Sequence, residues 1–287
     1  MTSSARRLWQ LIEAYHALTY FAPEAQEAFE HAGLRGFWRG YFASRAAPLG
    51  PVDAAPVTAI FFGFHPAFVA RALPSVWSMA SPDAALDARL AGIDHAVHRI
   101  FGGDLESTRF ADAAELASRA VEGCSAAGRP LFAANAELPW PRDPHLVLWH
   151  AATLLREHRG DGHVAALCSA GLDPCEAHVT QVAASGASPD TIKPYRGWGD
   201  DDWSAATERL RIRGWLDAGG RLSAEGRAAR QEIEDATDRL AADPTEHLGP
   251  ERVQLLLELV APITARLTET GAIPYPNPVG VPRPEEQ

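Results

Sequence analysis

Cysteine is scarce in this chain. Three occur in 287 residues, Cys124, Cys168 and Cys175, and no two form a CxxC pair. That excludes a disulfide framework and the common thiolate zinc sites, and it reads as buried thiols in a reducing compartment. Long apolar runs are missing too. The most apolar stretch, Val57 to Phe64, is far shorter than the ~20 residues that span a bilayer, and it ends at His65-Pro66. The N-terminus passes through Arg6-Arg7 into an amphipathic run, not the apolar core of a secretory signal. A cytoplasmic protein with no membrane partner is expected. Positive charge is in deficit: Lys and Arg total 26 against 37 Asp and Glu, for a net charge of −11. Such a balance argues against a large nucleic-acid-binding surface, though it leaves room for a local basic patch. Catalytic signatures are absent as well. The chain has no P-loop, no GxGxxG after a strand, no GxSxG, no kinase set and no HExxH. No pattern identifies a cofactor.

What is present is an apparent internal echo. Tyr15-His16-Ala17-Leu18-Thr19 is matched by Trp149-His150-Ala151-Ala152-Thr153. Ala32-Gly33-Leu34 is matched by Ala170-Gly171-Leu172, and the segment Ile93 to Ile100 by Ile233 to Leu240. The matches keep their order at a nearly constant offset, which is the mark of a duplication. Two copies in one chain are therefore expected, with the seam between them as the place to look for function.

Hydrophobic content of 46% and charged content of 22% are those of a globular protein, and helix signals dominate. Leu8, Leu11, Ile12, Tyr15 and Leu18 stand at helical spacing over residues 5–21. Ser81-Pro82-Asp83 reads as a helix start with Ser as the cap. Residues 126–144, rich in Pro, read as a linker between a first domain (1–125) and a second (145–275), with a flexible tail over 276–287. A helix from about His145 is expected to stop at Arg159-Gly160, with Asp161 capping the next one. Trp215 to Ser223, around Ala218-Gly219-Gly220, reads as a tight hairpin, and a long helix then starts at Ser223-Ala224-Glu225-Gly226.

The run Leu210-Arg211-Ile212-Arg213-Gly214-Trp215-Leu216, then Gly-Gly, then Leu222-Ser223-Ala224-Glu225-Gly226-Arg227 resembles the MarR-type winged helix-turn-helix proteins. The likeness covers roughly residues 145–242, with Ser223 in place of the usual capping Thr. The whole chain is similar to a group of actinobacterial proteins carrying such a domain. The resemblance implies a mainly α fold: two winged-helix-like repeats as a pseudo-two-fold dimer, with one small β-hairpin wing. The first copy has no equivalent wing between Phe62 and Ser81, and Val57 to Phe62 carries no Lys or Arg, so it cannot read DNA in the usual way.

Two functional readings follow. In the leading one the chain binds a small molecule, aromatic or apolar, between the repeats, and is an enzyme if His65, His150, Glu157 and His163 supply acid/base chemistry. Trp149, Arg156, Asp161 and Trp77 would hold the ligand, with Arg156 as the anion holder. The two glycines between Arg159 and His163 would turn the chain and bring His163 back toward His158 or Arg156. In the alternative the chain is a MarR-like regulator that contacts DNA through residues 200–227, with Arg209, Arg211, Arg213 and Arg221 among the contacts. His95 with His98 and Asp235 with Asp238 stand at i,i+3 and could converge on a metal. No zinc spacing occurs, and solvated surface positions are the plainer reading, so no metal site is expected.

Overall fold

A computed structural model describes residues 3–275, 277 and 281; the segment expected as a flexible tail, 276–287, otherwise lies outside the described residues. The chain is mainly helical, with no β-strand among the described residues. Local cap chemistry sets many of the helix starts. α1 (Ser4–His16) opens at Ser3, whose hydroxyl accepts the Arg6 N–H. α2 (Leu18–Phe21), α3 (Pro23–His31), α4 (Phe37–Ala46), α5 (Ala54–Phe61) and α6 (Pro66–Val69) complete the first stretch. α7 (Pro82–Phe101) starts at Ser81, which accepts the Ala84 N–H as its sequence promised. α8 (Thr108–Val121), α9 (Pro130–Ala136) and α10 (Pro144–Ser169) follow. α11 (Pro174–Ser185) opens on a reciprocal capping box between Asp173 and Glu176. α12 (Lys193–Arg196) and α13 (Asp200–Ile212) lead to α14 (Ala224–Leu240), capped by Ser223 through the Gly226 N–H. α15 (Asp243–Leu248) and α16 (Pro250–Glu269) close the order. No helix among the described residues is long and apolar enough to cross a membrane.

α10 corrects the expected break at Arg159-Gly160. It runs unbroken through Gly160 and Gly162, about 39 Å at 1.5 Å per residue. The reason Gly occupies position 162 is tertiary. A Cβ there would stand 2.8 Å from Arg129 Nη1 and 3.1 Å from Leu240 Cβ, so its absence lets α14 and the Arg129 side chain close on α10. Arg129 donates to the carbonyls of His158 and Leu240, tying the two helices. His163 therefore continues down α10 and does not fold back toward His158. Asp161 caps no following helix. Its Oδ2 accepts the N–H groups of Leu131 and Phe132, both at 3.0 Å, and so caps α9 instead.

Two hydrophobic clusters form. The larger takes residues from Leu8 to Leu155 and again from Leu248 to Val281. It therefore gathers residues from both sides of the 126–144 passage, which itself contains α9 with Leu131 and Phe132 buried. α1 packs on α10 and on α16, and α10 also packs on α8, α7 and α14. Residues 5–21 break at Ala17 between α1 and α2, so that Tyr15 and His16 face α10. There His16 lies parallel to Trp149 at 6.2 Å, and the Trp149 indole N–H donates to the His16 carbonyl. The smaller cluster is built from Ala166, Leu167, Leu172, Cys175, Val179, Ala206, Leu210, Leu216, Leu222 and Ile233. In it α11 packs on α13, and Leu216 and Leu222 pair across a one-bridge antiparallel turn. Asp217 N–H donates to Arg221 O and Ser223 N–H to Trp215 O, both at 2.9 Å. Gly220, at φ +78, makes the turn with a backbone that a β-branched side chain would strain.

Candidate functional site

Where the two clusters meet, the chain leaves a cavity of about 320 Å³. Its walls come from α1, α4, α5, α9, α10, α11, α12 and α14. Five guanidiniums line it: Arg45, Arg156, Arg159, Arg196 and Arg230. The carboxylates lining it are Glu13, Asp161 and Glu234, with His163 and His178 among the remaining polar groups. Trp9, Ile60, Phe61, Phe62 and Leu167 supply apolar wall. A concave site of this size, with polar groups converging on an apolar lining, is the form of a small-molecule pocket.

The charges are organised around Glu157, which is buried behind the wall. Arg156 Nη1 stands 2.8 Å and Arg45 Nη2 3.3 Å from its carboxylate. Burial pushes the Glu157 carboxyl up, but Arg156, Arg45 and His16 together outweigh it and hold it at about 2. Arg156 also reaches Glu13 at 3.4 Å, and the Trp9 indole donates to that same carboxylate. Arg45 lies 4.2 Å over the Phe61 ring, and Arg196 4.5 Å over Phe64. Arg159 pairs with Asp238 at 2.8 Å, and Arg230 bonds Thr180 and approaches Glu234 at 3.6 Å. Burial pushes Asp161 up to about 6 in spite of its two backbone donors.

At one rim the backbone is strained. Phe62 sits at φ 56, ψ −61, a conformation costly for a bulky side chain. The next carbonyl, Gly63, accepts from the Trp198 indole at 3.1 Å and faces His178 Nε2 at 2.8 Å. Burial first, and then Arg196, take His178 down to about 4, so it is neutral at physiological pH. These contacts anchor α11 and the residues after α12 to the turn that follows α5.

The structure divides the residues that the sequence singled out. Arg156, Asp161 and His163 line the cavity, and Glu157 pairs with two of its arginines. His163 bonds Thr237 at 2.9 Å, and burial lowers its basicity. His65 and His150 lie elsewhere. His65 is half-exposed, caps α6 through the Ala67 N–H and sets its ring against Trp198. His150 is buried edge-on to Trp140, pushed down to about 4 by burial and Arg89. Of the four residues expected to share acid/base work, His163 and Glu157 thus belong to the cavity and its backing, while His65 and His150 stand apart from it and from each other. Neither Trp149 nor Trp77 lines the cavity: Trp149 stacks on His16, and the Trp77 indole donates to the Val52 carbonyl. Trp38 belongs to an aromatic cluster with Tyr41, Phe64 and Phe68.

The converging pair-of-pairs for a metal does not assemble. Asp238 bonds Ser3, Arg6 and Arg159, Asp235 accepts from Gln231, and His98 turns to Asp94 on its own helix. Of the arginines expected on DNA, Arg209 pairs with Asp173 and Glu176. Arg211 reaches Ala218 O, and Arg213 donates to Gly171 O while lying over Trp215. Arg221, in the turn between Leu216 and Leu222, is 85% exposed and touches Asp217. Sequence reasoning missed Arg45, Arg159, Arg196 and Arg230 as site residues. The signal available for Arg45 was a cation, one of two with Arg39, among the aromatics of residues 37–47.

Compared with family models, residues 5–274 match one described as a helix-turn-helix family. No match was found among curated proteins or among solved structures.

Proposed function

The chain belongs to a helix-turn-helix family, and from that premise we propose that it is a DNA-binding regulator with one reading head and a ligand-holding junction. The reading head is the unit of α11, α13, the 215–223 hairpin and α14, a winged-helix arrangement of the MarR type, with DNA contacted by residues 200–227. Family membership supports the DNA partner. So does the exposed Arg221 at the hairpin turn, with Arg211 and Arg213 on the last turn of α13 and just after it. Asp200, Asp201 and Asp202 at the start of α13 repel phosphate, so contact falls to the hairpin and the other end of α13.

One chain carries two copies in this reading. The starts of α1, α4, α7 and α8 are followed about 140 residues later by those of α10, α11, α14 and α16. The packing repeats as well: α1 on α16 answers α10 on α8, and α3 on α7 answers α10 on α14. In the first copy the segment that would correspond to the head is the buried aromatic cluster of Phe61, Phe64 and Phe68. A single head on an acidic chain binds DNA weakly and with strong salt dependence.

The observation that carries the ligand reading is the five-arginine cavity between the head and the body. Its guanidiniums and apolar wall suit a small organic anion with an aromatic or apolar body. A ligand bound there touches α4 and α5 of the body, α12, and α11 and α14 of the head, so its occupancy biases how the head is held. Acid/base catalysis gains less support, because His65 and His150 stand outside the cavity.

The test is fluorescence anisotropy with a pool of random duplexes, followed by the selected ones. We expect salt-sensitive binding, with the log–log salt slope reduced by about one in each of Arg211→Ala and Arg221→Ala. No salt-sensitive binding to any duplex at micromolar protein sinks the DNA reading. Mass spectrometry of what co-purifies with wild type but not with Arg196→Met and Arg230→Met tests the cavity.

A further inference from the structure

At the start of α10, three side chains with metal-ligand chemistry come together outside the cavity. Asp94 and His98 lie one turn apart on α7, and His145 is the second residue of α10. His145 Nε2 stands 2.6 Å and His98 Nδ1 3.2 Å from the same carboxylate oxygen, Asp94 Oδ1. The two imidazole rings meet edge to face at 5.1 Å, and ligand atoms of all three residues lie within 4.8 Å of one another. Donors around a tetrahedral zinc ion stand roughly 3.3 Å apart, so small rotations of these side chains bring three donors onto one ion.

We propose that Asp94, His98 and His145 form a binding site for a divalent transition-metal ion of the zinc type. It would clasp α7 to the start of α10 and leave a coordination position open to solvent. Two nitrogens and one carboxylate oxygen are a borderline donor set, which favours zinc, cobalt or nickel over calcium or magnesium. The site is partly pre-organised. His145 is buried, Pro144 fixes the first residue of α10, and the Tyr15 hydroxyl holds the His145 carbonyl at 3.0 Å. His98 is 57% exposed, which opens the third side to water or to an outside ligand. Three protein ligands with an open position are the pattern of reactive or exchangeable sites, not of closed structural ones. Spacing alone did not reveal this triad, because its third member comes from a different helix and the sequence pairs His98 with His95.

The experiment is calorimetric titration of the full chain with zinc chloride, together with the absorption spectrum of the cobalt(II) form. Cys168 is an exposed thiol, so the titration is done in Cys168→Ser as well. We expect one equivalent at low-micromolar affinity in both, and visible cobalt bands of nitrogen and oxygen ligation. With zinc at a hundredfold excess over its Kd, the Tm rises by about 5 °C. His98→Ala, at an exposed position where the fold does not depend on the side chain, weakens binding more than tenfold and removes the Tm shift. Wild type that takes up no zinc below millimolar concentration overturns the proposal. So does binding that disappears in Cys168→Ser, or that is equally tight in His98→Ala and His145→Ala.

Discussion

Glu157→Gln isolates the ionic arrangement that backs the cavity. The Glu157 side chain is 2% exposed and has two guanidiniums within 3.3 Å. Burial alone would raise its pKa, yet the opposing charges hold it at about 2, against 4.5 for the free group. At about 1.4 kcal/mol per pH unit, that difference is worth roughly 3 kcal/mol of folding stability. The folded value is depressed, so the contribution is complete above about pH 4.5. It is lost as the pH falls through the interval toward 2. The amide carries no charge and contributes nothing there, and it leaves Arg45 and Arg156 buried with one carboxylate fewer. Breaking a buried pair from one side costs about 3–5 kcal/mol.

Urea unfolding followed by circular dichroism at pH 7, 5 and 3 measures this. Wild type should exceed Glu157→Gln by about 3–5 kcal/mol at pH 7 and pH 5, and the gap should have begun to close at pH 3. Adding Arg45→Met should recover part of the loss, because it removes an uncompensated cation. A gap below about 1 kcal/mol at pH 7 would refute the reasoning, as would a gap that is the same at pH 3 as at pH 7.

Two other changes test the junction and the head. Asp161→Ala leaves the Leu131 and Phe132 N–H groups without their acceptor. It should cost about 2 kcal/mol and speed hydrogen exchange in α9, and an unchanged exchange rate at those amides contradicts the capping role. In Gly226→Ala the new methyl would meet the Trp215 carbonyl oxygen at 2.1 Å, which is backbone and cannot swing away. A loss of about 1–3 kcal/mol and faster exchange over residues 210–226 are expected, with α10 unaffected. An unaltered Tm would show that the hairpin and α14 do not pack as described.

Features written in a few adjacent residues were legible from the sequence. Ser81, Asp173 and Ser223 announce their helices because a cap is a local hydrogen bond. Gly162 was not legible in this way. A glycine near a run of charged residues reads as a turn, whereas here it clears space for α14, an element that starts more than sixty residues later. Arg230 shows the same limit from another side. By sequence it belongs to an arginine-rich stretch that looks solvated or DNA-facing; in the fold it turns inward to Thr180 and the cavity. Val253, Leu256, Leu257, Val260 and Ile263 carry a helical period that sequence reasoning passed over, and they form the buried face of α16, a helix that packs on α1 and α8. Which way a helix faces depends on what packs against it, and no single stretch of sequence contains that.

The echo of Tyr15-His16 in Trp149-His150 has physical content where α1 meets α10. One imidazole of the pair, His16, bonds Thr153 and Tyr20 at 3.0 and 2.9 Å, while His150 turns to Trp140. Equivalent letters thus serve unequal surroundings. Beside them a chain of ion pairs runs across the meeting of the two helices, from Arg45 to Glu157 to Arg156 to Glu13. Its two ends, Arg45 and Glu13, come from the first half of the chain and its two middle members from the second, so both end charges find their partners across the halves. The cavity opens on this network, and the two end groups, Arg45 and Glu13, face into it. An anion entering there competes with Glu157 and Glu13 for the same guanidiniums. It thereby loosens or tightens the contact between halves, which gives the proposed ligand a physical route to the proposed head.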